Sequence, residues 1–204
     1  MIKNIIFDLG RVIILLKNLD VEVNLSKLFK ISLKSSYNLY KKYKRDLVIG
    51  NITTKELLAI FNKKYPTSKK INELFKEYKE KWFASDILKM DKELLTYINK
   101  LKQQYKTYIF TNTIDANDQY IFNKYKFKKY FLHIFKSHID HIYKPEVQSY
   151  LYVVNKIKAK PGECVFIDDL EENIFGAKKA GLKGIVYKNL SQLTHDLEKI
   201  GVKI

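Results

Sequence analysis

Four short runs of apolar residues punctuate the chain: 3–8 (KNIIFD), 106–111 (KTYIFT), 164–168 (CVFID) and 184–187 (GIVY). Their length and lack of polar alternation predict strands buried on both faces. Between and after them the spacing becomes helical. Leu94, Leu95, Ile98 and Leu101 share one face behind Asp91 as N-cap, and 173–180 reads as a helix stopping at Gly181. Strands alternating with helices predict an α/β fold, a parallel sheet covered on both sides.

Residues 16–88 break this rhythm. Thr53 and Glu56 have the spacing of a capping box ahead of Leu57, Leu58, Ile60 and Phe61. Ile71, Leu74, Phe75, Tyr78 and Trp82 recur at helical intervals, and no buried strand is evident. The expected organisation is a core of 1–15 and 89–204 with an all-helical unit, 16–88, inserted after the first strand. No internal repeat or low-complexity linker divides it further.

Ligands of open α/β sheets bind beyond the carboxyl ends of the strands. Three of the four runs place polar residues there, namely Asp8, Thr111–Asn112 and Asp168–Asp169, and Lys144 lies in the connection leading to the third. Taken singly, each has an ordinary reading. A strand-ending Asp caps a loop, Lys-Pro makes a turn, and DDLEEN caps a helix. Together, in order, they are what phosphoryl transfer through a carboxylate requires. Asp8 is expected to attack phosphorus. Magnesium, held by Asp8, the Gly10 carbonyl and one of Asp168 or Asp169, is expected to screen the anions. Thr111 and Asn112 are expected to bind phosphate oxygens, with Lys144 as a point cation. Arg11 either binds substrate or pairs with an acid of the helical unit. His133, His138 and His141 near Lys144 are read as surface or loop residues.

The segments FDLG (7–10), FTNT (110–113), KPE (144–146) and FIDDLEENIFGAKKAG (166–181) together resemble the four motifs of the haloacid dehalogenase superfamily, in order and across nearly the whole chain. The resemblance implies a three-layer Rossmann-like core, a small helical cap that closes over the substrate, and magnesium. Within the superfamily the chain is similar to the FDLGxV branch typified by bacterial sugar-1-phosphate phosphatases. The expected function is therefore hydrolysis of small phosphomonoesters, sugar phosphates among them, through an aspartyl-phosphate on Asp8. Most such members carry a second Asp two residues after the nucleophile, where this chain has Gly10. The alternative expectation is thus a catalytically weak phosphate-binding or regulatory protein of the same fold. A true dehalogenase fits poorly, because Gly10 and Arg11 depart from its D-x-Y-G-T motif.

Composition adds bounds. With 204 residues, 46% of them hydrophobic, the chain suffices for one core with an insertion. Its single cysteine, Cys164, excludes an internal disulfide and a cysteine-based zinc cluster. No apolar stretch approaches the roughly 20 residues that span a bilayer, and MIKN leads straight into a strand. A cytoplasmic protein with no membrane partner is expected. The net charge of +16 admits a nucleic-acid partner. Only Arg11 and Arg45 are arginines, however, and the abundant lysines accompany Ile, Asn and Tyr. That pattern reads as genome composition and a solvated basic surface, which would also attract a small phosphorylated metabolite.

Overall fold

The computed structural model describes residues 1–17 and 20–204; Asn18 and Leu19, within the expected helical unit, lie outside the described residues. Seven strands occur among the described residues: β1 (Asn4–Phe7), β2 (Ile14–Leu16), β3 (Ile87–Met90), β4 (Lys106–Thr111), β5 (His133–Lys136), β6 (Cys164–Asp168) and β7 (Lys183–Val186). Five form one sheet in the order β5-β4-β1-β6-β7, parallel throughout.

Two-sided burial follows from the period of two along each strand. Ile5, Phe7, Ile109, Val165 and Ile167 join one apolar cluster, which includes Leu94, Leu95 and Ile98 of the helix Lys92–Leu101. Their neighbours Ile6, Tyr108, Phe110 and Phe166 point the other way. They pack with Tyr150, Val153 and Val154 of the helix Val147–Lys156, and with Ile174 and Ala177 of the helix Glu171–Lys179. Three layers result, as expected of an α/β core.

Two features depart from the sequence reading. β5 was not anticipated, because of its four residues only Phe135 is fully buried at this sheet edge. The stem of the inserted unit is an antiparallel ribbon of β2 and β3, with Ile14 opposite Met90. Leu16 and Ile87–Leu88, at the ends of the expected all-helical unit, thus belong to strands. Such short, partly exposed strands leave no clear alternation to read.

Between β2 and β3 the chain is helical: Val21–Phe29, Leu33–Tyr40, Lys44–Val48, Thr54–Lys64, Ile71–Glu77, a wide-turned π segment Tyr78–Phe83, and Ala84–Asp86. The capping box forms, with Thr53 N donating to Glu56 Oε2 at 2.7 Å and Glu56 N donating to Thr53 Oγ1 at 3.2 Å. Polar contacts between this unit and the core include the following. Thr54 donates its backbone N–H to Asp115 Oδ1 at 2.9 Å, and its hydroxyl meets the same oxygen. Arg45 pairs with Glu146 at 3.0 Å, and His141 Nδ1 donates to the Ile49 carbonyl at 2.7 Å. At this seam Gly50 has φ +77°, and a β-carbon there would sit 2.1 Å from the His138 carbonyl oxygen. Only glycine fits. No helix among the described residues is long and apolar enough to cross a membrane.

Candidate active site

β1 ends at Phe7, opposite Ile167 of β6, and Asp8 N donates to the Ile167 carbonyl at 2.8 Å. That register sets Asp8 and Asp168 side by side at the carboxyl edge of the sheet. Lys144, on the loop before Val147–Lys156, reaches between them. Its Nζ lies 2.7 Å from Asp8 Oδ1 and 2.7 Å from Asp168 Oδ2. All three side chains are buried.

The loops that hold these groups are fixed by specific pairings. Asn112 Oδ1 accepts from Lys144 N and Asn112 Nδ2 donates to the Lys144 carbonyl, both at 3.0 Å. The next peptide bond, Lys144–Pro145, is cis. Helix Glu171–Lys179 presses on this loop through Gly176, where a β-carbon would lie 2.3 Å from the Pro145 carbonyl oxygen. Asp168 is tied to the start of the same helix. It accepts from Leu170 N at 2.9 Å and from Asn173 Nδ2, which reaches both carboxylate oxygens at 3.0 Å. Tyr150 donates its hydroxyl to the Asn173 carbonyl at 2.7 Å.

Electrostatics follow from burial. Burial raises Asp8 from 3.8 to about 7 against the pull of Lys144, with Asp168 adding to the rise. Burial and Asp168 likewise raise Asp169, against Arg11 and Lys144. Burial would lower Lys144, but the charges of Asp168 and Asp8 outweigh it, and its amine is held above the usual lysine range. One oxygen from each of Asp8, Asp168 and Asp169 lies within 4.8 Å of the others. The three acids gather around a single buried amine, with Arg11 at the rim, and their donor atoms are all hard oxygens. This set suits a divalent cation such as magnesium.

Above these groups opens a cavity of about 330 Å³ between the core and the helical unit. Asp8, Gly10, Arg11, Thr111, Asn112, Lys144 and Asp169 line it. Asp168 lies beneath, fully buried, so Asp169 is the member of the acid pair that reaches the cavity. The eight residues singled out in the sequence therefore converge. Asn112, though, spends its amide on the Lys144 backbone. Arg11 has φ +57° and brings its guanidinium to 4.0 Å from Asp169, not to an acid of the helical unit. His133, His138 and His141 are not among the lining residues. Of the aromatic residues of the helical unit, read from the sequence as mostly helix packing with one or two facing the substrate, Tyr40 and Phe83 line the cavity. Asn173 was legible as part of the fourth motif, one helical turn beyond the acid pair; Tyr150 was assigned no role and depends on tertiary placement.

A model of the haloacid dehalogenase-like hydrolases matches residues 5–187. The chain belongs to this family. It is 33% identical over 82 residues to flavin mononucleotide hydrolase 1 of Arabidopsis thaliana. That alignment covers 40% of this chain and 34% of the relative. It is 24% identical over 134 residues to glyceraldehyde 3-phosphate phosphatase of Pyrococcus furiosus, covering 60% of this chain and 56% of that protein. The matched region thus spans about a third to a half of these relatives' lengths. The fold matches a HAD family enzyme of Bacteroides thetaiotaomicron solved with magnesium and inorganic phosphate. The TM-score is 0.76 at 22% identity, over 95% of this chain and 99% of that one. The matched residues run from within β1 to just past β7 and take in the helical segments between β2 and β3.

Proposed function

We propose that this hydrolase is a magnesium-dependent phosphatase of small phosphomonoesters, with Asp8 as nucleophile. The observation that carries the reading is the buried Lys144 amine, 2.7 Å from both Asp8 and Asp168, with Asp169 close by. Asp8, the Gly10 carbonyl and Asp168 or Asp169 would hold magnesium, which a structural neighbour also binds. When bound, the cation would neutralise charge shared by the phosphate and the carboxylates. Residues 16–88 act as the cap that encloses the substrate.

Asp8 attacks phosphorus, the bond to the leaving oxygen breaks, and an aspartyl-phosphate forms. Thr111 donates its hydroxyl to a phosphate oxygen. Lys144 orients the Asp8 carboxylate and offsets the charge that accumulates. Water then attacks the same phosphorus, which releases phosphate and restores the Asp8 carboxylate. Residue 10 is glycine and gives no proton to the leaving oxygen; a cap residue or an ordered water would supply it, or a leaving oxygen of low pKa would need less of it.

Phosphate release from a panel of metabolites with and without magnesium tests this. Asp8→Asn is expected to lower turnover by at least about 1000-fold. Release equal in wild type and variant would sink the proposal. Gly10 also favours a second reading, a slow phosphate-binding member of the family, because general acid–base help is worth roughly 10²–10⁴ in rate. Tight binding of phosphate with magnesium but no turnover on any ester would select it.

A further inference from the structure

Part of the wall above the carboxylates is apolar. Val21, Tyr40, Val48 and Phe83 face the cavity from the cap, and Ile114 and Ile121 from the core; all six are buried. Polar groups stand between them, buried Thr113 included. Tyr40 and Tyr143 carry hydroxyls, and Asn117 has its amide oxygen 3.4 Å from the Tyr78 hydroxyl. Asp20, Lys44 and Glu172 also border the cavity but are exposed.

A polyol placed here would bury several hydroxyls, each needing a partner to replace water. An aromatic or branched apolar body needs none and gains from the contact. The leaving side argues the same way from a different observation. Gly10 supplies no acid, so a weakly basic oxygen, such as a phenolate, departs more readily than an alkoxide.

We infer that the cavity selects phosphate monoesters of apolar, above all aromatic, alcohols over those of polyols; this rests on the phosphatase reading and narrows it. Calorimetry in magnesium with non-hydrolysable phosphonates separates selectivity from turnover. Benzylphosphonate is expected to bind at least about tenfold more tightly than 2,3-dihydroxypropylphosphonate. Val48→Thr, which puts a hydroxyl on the wall at nearly constant volume, is expected to shrink that ratio about threefold or more. Equal affinities, tighter binding of the polyol, or a ratio unmoved by Val48→Thr would overturn the inference. If inorganic phosphate binds while the two phosphonates are equal, only the selectivity falls. Should neither phosphate nor any phosphonate bind, the phosphatase reading falls as well.

Discussion

Asp8 carries two opposed requirements. Burial favours its neutral form, whereas the proposed nucleophilic attack needs the carboxylate. Lys144 is the chain's own compromise, a permanent cation close enough to share a proton's worth of charge. The folded chain keeps a proton on Asp8 up to about pH 7 that an unfolded chain releases near 3.8. Its contribution to stability is therefore complete below about pH 4 and lost as pH rises through about 7. Urea midpoints of metal-free protein at pH values of about 4.5 and 8 are expected to show that loss, and Asp8→Asn to flatten it. A pH-independent difference between wild type and variant would remove the assignment.

At the scale of elements, strands buried on both faces were legible, because runs such as IIF and VFI are short, apolar throughout and rich in β-branched and aromatic residues. The polar residues that end them were legible for the same reason, each being the first break in an oily run. β2, β3 and β5 were not. Their side chains are half solvated, so their pairing is dictated by the partner strand and not by their own pattern. Nor could the sequence show that Asn112 holds the Lys144 loop, since the two are 32 positions apart and meet only through β4. The same limit hid Asp115. It begins the core helix Asp115–Lys124, yet its carboxylate sits at the first turn of the cap helix Thr54–Lys64, where helix dipole and N–H groups favour an anion. Asp115→Asn should therefore loosen the cap without unfolding the core. Hydrogen exchange at 54–58 is expected to quicken about tenfold while β1 stays protected; unchanged protection at 54–58 would show that the tie is idle.

Over the whole molecule the dominant quantity is charge, +16 with 38 basic residues, while the floor of the candidate site is rich in acids. A surface of that sign attracts anions in general, towards a cavity whose local charge does not. Raising salt from about 20 to 200 mM is expected to cut kcat/KM for a dianionic ester severalfold and to leave kcat nearly constant. A kcat/KM indifferent to salt would mean that the lysines play no part in capture. One feature at the junction of the two halves bears on the shape of the protein. At Gly50 the clearance is a single hydrogen atom, and the obstacle opposite is a backbone carbonyl that cannot swing aside. Gly50→Ala would act as a doorstop. Small-angle scattering should then record a larger radius of gyration with unchanged far-ultraviolet dichroism: an enzyme permanently ajar, its helices intact and its chamber open to the bulk.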